Sequence, residues 1–530
     1  MALGAPPQNT GSYTGYTTLT RWIVLIAVML GTVLEVLDTS IVNVAIPDMM
    51  GNLGATLDQI GWVSTGYIIA NVIILPLTGW LSGHFGRRRY LAGSMILFTA
   101  ASLCCGMSHT LNQLVFFRIV QGAGGAALLS TAQATMMEIF PPAQLGLVQA
   151  VYGIGVMVGP TVGPTLGGWI TDNYTWPWIF FINVPIGIMA TTLTLLFMRD
   201  SQYQKKTNTR IDIIGIGFLA IGLGCLQTVL EKGNRENWFD SRLICWLVAY
   251  ATVCLLAFII WEMRTEHPAV NLRILKNRTY AAGVLMQVAI GVGLYGGVFL
   301  LPIYLQDVRG YTAAQTGWIL LPGGLATGFM MPLLSRIVLR VPARILVFIG
   351  SCLFIASMWM LHTVTMDTGP EHLFLPLIVR GIAFSCLFLP LAIATLSLLK
   401  GKEIAEGTGL FNLARQLGGS AGIAALSTYL AQQSSLHRAA LVEKVTAYNP
   451  LAQARLSGYQ HFFLSKGASL AIAHKQAFAA MDGVITGQSF LLAFQDAFLM
   501  IGLIFAAMMP LILLLRKTSV IPAGGKMDVH

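Results

Sequence analysis

Charged residues are scarce in this sequence. Asp, Glu, Lys and Arg make up 10% of its 530 residues, while 55% are hydrophobic and the mean hydropathy is +0.71. Soluble domains carry about a quarter charged residues. This composition excludes a water-soluble globular protein and indicates that most of the chain lies in lipid.

Several chemical motifs are also missing. The sequence has no GxxxxGK[ST] phosphate-binding loop, its nine histidines show no metal-ligand spacing, and no nucleophile–base set stands out. These absences argue against ATP hydrolysis as an energy source, and they predict no metal, no cofactor and no enzymatic activity. All seven cysteines lie in apolar runs, which predicts no disulfide framework.

Long apolar runs take up most of the chain. Because a helix needs roughly 20 apolar residues to cross a bilayer, and lipid leaves backbone groups no partner outside helices or closed barrels, the runs predict an all-α integral membrane protein. The fourteen predicted spans are 22–46, 58–82, 89–108, 111–137, 146–170, 177–198, 211–231, 242–262, 279–306, 313–335, 344–364, 372–399, 407–432 and 490–515.

The basic residues alternate between loops. Of the 32 Lys and Arg residues, 20 fall in one set of alternate loops and tails and nine in the other, five of them in one long loop. Such a bias marks the cytoplasmic side, so both termini are predicted to be cytoplasmic. Topology explains the net charge of +10, and no nucleic-acid partner is expected.

The predicted spans fall into two related groups. Arg118 in FFRIVQGAGG of the fourth span corresponds to Arg380 in IVRGIAFSC of the twelfth, and repeated halves are the usual plan of secondary transporters. The predicted segments are a cytoplasmic tail (1–21), a six-helix bundle (22–198), a linker with two extra spans (199–278), a second six-helix bundle (279–515) that includes an extracytoplasmic loop (433–489), and a cytoplasmic tail (516–530). Within that loop, Leu451 to Met481 has the spacing of an amphipathic helix.

Three charged residues inside the spans are the candidates for proton coupling. Glu35 and Asp38 are three residues apart in the first span and share a helix face, although a charge at the bilayer centre costs roughly 2.5–3.5 kcal/mol. A carboxylate in a cavity that opens to alternate sides is suited to carry a proton. Arg118 supplies a permanent positive charge near such a carboxylate. The alternative is that these side chains are structural partners that bond neighbouring helices.

The fifth span is rich in glycine and proline, as GIGVMVGPTVGPTLGG from Gly153 to Gly168. In membranes this composition is typical of close helix packing and kinks, so the span is predicted to be a gate or hinge that binds nothing. Its predicted hinge residues are Gly155, Gly159, Pro160, Gly163, Pro164, Gly167 and Gly168.

Polar and aromatic residues within or near the spans are candidates to line a substrate cavity. Interhelical hydrogen bonding, or anchoring at the membrane interface for the aromatic residues, is the alternative for each. The predicted cavity residues are Asn43, Trp62, Tyr67, Asn71, Gln121, Gln133, Gln287, Tyr304, Asn412 and Gln416.

The motifs resemble the major facilitator superfamily, in its fourteen-helix drug:proton antiporter branch. LDTSIVNVAIP (37–47), GWLSGHFGRRR (79–89), LVFFRIVQGAGGA (114–126), GVMVGPTVGPTLGG (155–168), WPWIFFINVPIG (176–187) and RQLGGSAG (415–422) resemble its signatures in the same order. The resemblance covers residues 20–515 and implies the major facilitator fold, two six-helix bundles plus two inserted helices, with Asp38 as the acidic residue of the first-helix signature. The segment GWLSGHFGRRR resembles the family's motif in the loop between the second and third spans. That motif usually carries Asp at the position of Gly83, so the sequence departs from it there.

Within the branch, the long loop is most similar to that of the EmrB-type multidrug exporters of Gram-negative inner membranes. The resemblance implies export of amphipathic small molecules in exchange for protons, a periplasmic adaptor of the EmrA (membrane fusion protein) type and an outer-membrane channel of the TolC type. The alternatives are a dedicated exporter of a metabolite, such as a fatty acid or siderophore, and a receptor or scaffold without transport activity.

Overall fold

The computed structural model describes residues 16–200, 212–266, 268–338, 340–366, 368–446 and 448–515. Most of the predicted tails, and residues 201–211 of the predicted linker, lie outside these residues. Within them the regular structure is helical, as predicted, and the protein is a multi-pass membrane protein.

Among the described residues, the first half of the chain contains ten α-helices and the linker two. They are α1 (Thr18–Val44), α2 (Ile46–Leu53), α3 (Leu57–Ile60), α4 (Trp62–Ile74), α5 (Thr78–Phe85), α6 (Arg87–Gly106), α7 (Leu111–Ile139), α8 (Pro142–Asn173), α9 (Trp178–Phe181), α10 (Asn183–Phe197), α11 (Ile213–Lys232) and α12 (Arg242–Arg264). A single 3₁₀ turn, Leu75–Leu77, joins α4 to α5, so that the two form one span.

The described part of the second half contains seven α-helices. They are α13 (Arg278–Ile303), α14 (Ala313–Ile337), α15 (Ala343–His362), α16 (Pro370–Leu396), α17 (Glu403–Glu443), α18 (Pro450–Ser465) and α19 (Leu470–Met508). Local sequence sets their starts: Thr312 and Gln315 form a reciprocal capping box on α14, and Asn277 caps α13 through its side-chain oxygen.

Thirteen spans among the described residues are long and apolar enough to cross a membrane. The predicted span 407–432 is not among them, but it forms the middle of α17. Buried polar residues, including Asn412, Arg415 and Gln416, make α17 less apolar than the other spans. Its packing against α13, α19 and α7 places it inside the bundle with them.

The two halves repeat the same helix pairings. In the first half, α1 packs on α8, α4 on α7, α6 on α7 and α6 on α10. The corresponding pairs in the second half are, in the same order, α13 with α17, α14 with α16, α15 with α16 and α15 with α19. The halves meet where α8 packs on α14 and, correspondingly, where α17 packs on α5. The inserted helix α11 packs on both α4 and α17, which places it along the second of these seams.

The two ends of the bundle differ. The end at which α6 begins carries Arg87, Arg88 and Arg89 and is called here the basic end. At the opposite end, the hairpin end, α17 and α19 continue beyond the predicted spans, and α18 packs on α19. The segment predicted as one amphipathic helix, Leu451 to Met481, is divided between α18 and α19, with a break at Gly467, whose φ is +88°.

Candidate functional site

Asp38 is the centre of a polar cluster inside the first half. Its side chain has no exposed surface, and its Oδ2 lies 2.5 Å from Nη1 of Arg118 on α7. Its Oδ1 accepts hydrogen bonds from Gln121 on α7 and Asn183 on α10, both at 2.9 Å. Three donors on two helices therefore hold this carboxylate, and its charge is well compensated.

Arg118 is held on several sides. Its Nε donates to the carbonyl oxygen of Val63 at 3.1 Å, and Nη1 also donates to Oε1 of Gln121 at 2.7 Å. The guanidinium lies 4.2 Å from the ring centroid of Tyr67, a cation–π distance. Since Arg118 is buried and always charged, the pair it forms with Asp38 is a fixed ionic link between α1 and α7.

Two members of this cluster were not predicted as site residues. Ser102 on α6 accepts hydrogen bonds from Gln121 at 3.2 Å and Asn183 at 3.0 Å, and it donates to the carbonyl oxygen of Phe180. Asn183 begins α10 inside the motif WPWIFFINVPIG, which was a usable signal. A single serine in an apolar span gave none.

Glu35 lies one helical turn closer to the basic end than Asp38. It is 2% exposed, and its one hydrogen bond among the described residues comes from Nδ2 of Asn71 at 3.3 Å. A side chain at Gly125 would meet the Tyr67 hydroxyl at 2.6 Å and Glu35 Cγ at 3.4 Å, so this glycine makes the space that both side chains occupy. Unlike Asp38, Glu35 has no ion-pair partner within 4 Å among the described residues.

The predicted residues Gln133 and Asn412 connect the two halves directly. Asn412 on α17 donates to Oε1 of Gln133 on α7 at 3.0 Å, and Gln133 donates to Gln149 on α8 at 3.2 Å. All three side chains are almost completely buried. One hydrogen-bonded chain therefore runs from α8 through α7 to the second half.

Many buried polar atoms around the contact between the halves have no hydrogen-bond partner. Such atoms are rare in folded proteins and need an explanation. Among the described residues they include the Tyr67 hydroxyl, Oδ1 of Asn71 and Asn412, both amide atoms of Gln287, and Nε and Nη1 of Arg415. Gln416, another predicted cavity residue, is buried next to Arg415 on α17.

Aromatic and charged groups lie beside these polar atoms. The Tyr152 ring stacks on that of Phe388 across the contact between α8 and α16, with 6.2 Å between centroids, and the Arg415 guanidinium lies 5.7 Å from the Phe388 ring. Arg415 also acts electrostatically on the Glu35 carboxyl group. The surroundings combine apolar rings with groups that can bind polar parts of a molecule.

Three predicted cavity residues lie elsewhere. Asn43 is exposed and accepts a hydrogen bond from Ser64 at the hairpin end, because it lies at the end of α1. Trp62 begins α4 at the surface, and its ring centroid lies 4.1 Å from Nζ of Lys232. Tyr304 is buried within the second half, where its ring packs on Phe494.

The predicted hinge span α8 packs on α1 through a stripe of glycines at every fourth residue. A Cβ atom added at Gly155 would lie 2.7 Å from the side chain of Met29. A Cβ atom at Gly159 would lie 2.6 Å from Val36, and one at Gly167 would lie 2.8 Å from Ile41. Gly163 lies in the same row, where a Cβ atom would collide with Ser40. The helix continues through Pro160 and Pro164, and Gly168 accepts a hydrogen bond from Thr171.

A different face of α8 packs on α14 of the second half. There a Cβ atom added at Gly146 would lie 2.7 Å from the carbonyl oxygen of Ser335. A Cβ atom added at Gly153 would lie 2.7 Å from the side chain of Met331. Helix α8 therefore contacts α1 and α14 with backbones close together, and small residues allow both contacts.

Comparison with known proteins agrees with this architecture. Residues 28–423 match the model of the Major Facilitator Superfamily. The chain is 36% identical over 507 residues to the multidrug export protein EmrB of Escherichia coli (strain K12), covering 95% of this chain and 97% of that one. It is 33% identical over 505 residues to the fatty acid resistance protein FarB of Neisseria gonorrhoeae, with the same coverage.

Solved structures show the same fold at low sequence identity. The proton:xylose symporter XylE matches with a TM-score of 0.56 at 13% identity, covering 92% of this chain and 95% of that one. The human organic anion transporter MFSD10 matches with a TM-score of 0.54 at 13% identity, covering 92% and 99%. The chain therefore belongs to the major facilitator superfamily and is a membrane transporter, not an enzyme.

Proposed function

We propose that this transporter exports amphipathic compounds in exchange for protons, with the proton gradient as its energy source and no cofactor. The observation that carries the proposal is the pair of buried acids on one face of α1, one ion-paired and the other not. Relatives named for multidrug export match the chain at 35–36% identity, which favours a broad substrate range over one dedicated metabolite.

The two acids have different roles in this mechanism. Asp38 accepts three hydrogen bonds, one from Arg118, and neutralising it would leave a buried guanidinium without its counter-charge. Glu35 has one amide donor at 3.3 Å, so its ionised form gains little compensation for burial. We assign proton loading and release to Glu35, and assign to Asp38 and Arg118 the fixed pair that positions α1 against α7.

The substrate binds between the halves. The unpaired atoms of Tyr67, Asn71 and Gln287 offer hydrogen bonds, and the stacked rings of Tyr152 and Phe388 offer an apolar surface. Ligand sites typically combine an apolar lining with a few polar groups. This combination suits an amphipathic molecule, which displaces part of the contact between the halves when it binds.

Movement of the two halves relative to each other opens this site to one side of the membrane and then to the other. The contact of α8 with α14 and that of α17 with α5 lie on opposite sides of the interface, and a change at either lets one half rock on the other. Glu35 belongs to the first half and Arg415 to the second, so protonation of Glu35 removes an attraction between them. Proton binding and opening are linked in this way.

We infer a bacterial inner-membrane location from the similarity to EmrB of Escherichia coli. The loop charges support an orientation with the basic end in the cytoplasm. The hairpin end then projects into the periplasm. It exposes large apolar side chains, including Tyr448 (95% exposed), Leu451 and Leu470. We assign this surface to a periplasmic adaptor of the EmrA type, which connects the transporter to an outer-membrane channel of the TolC type.

Reconstitution in proteoliposomes tests the proposed function. Vesicles with an imposed pH gradient and a fluorescent amphipathic substrate should accumulate substrate against its gradient, with proton movement in the opposite direction. Arg118→Ala should be inactive, because it removes the counter-charge of Asp38. Accumulation at the same rate without a pH or electrical gradient would refute proton coupling.

A further inference from the structure

Arg380 on α16 is a buried cation that the proton-coupling mechanism does not use. It is 9% exposed and lies on the inward face of the helix, in line with the buried residues Leu373, Leu377 and Phe384. Among the described residues it has no hydrogen bond and no ion pair, and its Nη1 atom is fully enclosed without a partner.

In the first half, the arginine that corresponds to Arg380 is paired with an acid. Helix α16 corresponds to α7, and α13 corresponds to α1, in the repeat of helix pairings. On α7 the guanidinium of Arg118 faces the carboxylate of Asp38 on α1. On α16 the guanidinium of Arg380 faces Gly297 on α13, where a methyl group would lie 2.8 Å from Nη1. The second half keeps the cation and presents a glycine in place of the acid.

Within the part of the second half that the structure describes, no acid forms an ion pair with Arg380. Asp307, Glu371 and Glu443 are exposed at the hairpin end, Asp496 pairs with His437 at 2.8 Å, and Asp482 pairs with Arg438 at 2.6 Å. Glu403 and Glu406 lie at the opposite end, in the first turn of α17.

A guanidinium remains protonated at any physiological pH, so Arg380 cannot become neutral to relieve its burial. A buried ion is strongly destabilised unless it is paired. We propose that Arg380, whose guanidinium lies directly against Gly297, forms a binding site for one monovalent anionic group, either a halide from the surrounding solution or the carboxylate of an amphipathic molecule. This site stands apart from Glu35 and Asp38 and goes beyond the proposed proton coupling.

Thermal unfolding of the purified full-length protein tests the site without a proton gradient. The protein is titrated with sodium chloride, with sodium isethionate at equal ionic strength as the control for screening. A second series compares decanoate with 1-decanol, which has the same chain length and no charge. Binding should raise the unfolding temperature saturably, by about 1 °C at tenfold excess over Kd for a chain of this length.

Two pairs of variants connect the effect to this site. Arg380→Gln should abolish the rise, while Arg380→Lys, which keeps a charge, should retain part of it. Gly297→Asp should also abolish it because an internal carboxylate takes the place of the anion, while the uncharged match Gly297→Asn should retain it. The pair at Gly297 keeps the test informative if Arg380→Gln fails to fold.

The outcomes separate the two sources of the anion. A rise with chloride identifies a halide from solution, and a rise with decanoate alone identifies an organic carboxylate; both support the site. The proposal is overturned if neither probe stabilises the unmodified protein, or if Gly297→Asp and Gly297→Asn respond equally. Failure of this test leaves proton coupling unaffected, because no gradient is present.

Discussion

Replacing Glu35 with Gln tests the division of roles between the two acids. Glutamine has nearly the same shape as glutamate and keeps a carbonyl oxygen that can accept the hydrogen bond from Asn71. It cannot take up or release a proton in the physiological range. The variant should therefore fold and bind substrate but lose the link between proton movement and transport.

The structure sets the size of both effects. The exchange keeps a 3.3 Å hydrogen bond and breaks no ion pair, so the free energy of unfolding should change by no more than about 1 kcal/mol. One proton moving through 100 mV releases about 2.3 kcal/mol, which sustains roughly a 50-fold gradient of a neutral substrate. The unmodified protein should approach that ratio for one proton per cycle, and Glu35→Gln should approach a ratio of one.

The assay measures accumulation and exchange in the same proteoliposomes. With an imposed gradient, Glu35→Gln should fail to concentrate the substrate. With substrate on both sides and no gradient, it should still exchange labelled for unlabelled substrate, because that movement does not require net proton transfer. If the variant concentrates substrate as well as the unmodified protein, Glu35 is not the proton carrier.

Three further predictions concern the fixed pair, the glycine stripe and the hairpin. Asp38→Asn removes the counter-charge of Arg118 and should lower the free energy of unfolding by about 3–5 kcal/mol, measured by chemical denaturation. Gly159→Leu should lower the unfolding temperature and stop transport, since overpacking costs about 1–3 kcal/mol. The control is Gly83→Ala, where the added Cβ atom has no neighbouring atom within 4 Å, and it should leave the unfolding temperature and transport unchanged. Replacing 445–469 with a short linker should abolish pull-down of the adaptor while leaving transport in proteoliposomes intact, and unchanged pull-down would contradict the assigned surface.

Much of the fold could be predicted from the sequence because lipid restricts what a chain can do. Long apolar runs with few charges must form helices, and the repeat of Arg118 and Arg380 pointed to two related halves. The ends of the helices were harder. The apolar run predicted at 407–432 ends near the membrane boundary, but α17 continues to Glu443, because no proline or glycine interrupts residues 431–443 and helix formation does not depend on apolar residues.

The site could be predicted only in part. Intramembrane charges identified Glu35, Asp38 and Arg118 individually, since each is costly in lipid. The partners of these residues depend on tertiary packing. Nothing local to Ser102 shows that it links α7 and α10, and the position of Arg415 relative to Glu35 follows from how the two halves meet. Span ends were also misleading: Asn43 and Trp62 lie within predicted spans but at the surface of the hairpin end.

The most direct test of proton-coupled export is a simultaneous measurement of proton and substrate fluxes in proteoliposomes whose membrane potential is clamped. An imposed pH difference should drive substrate against its gradient, and adding substrate should drive protons the opposite way at a fixed ratio. Substrate accumulation that is unchanged when the pH difference is removed, with no proton flux on adding substrate, would contradict the account.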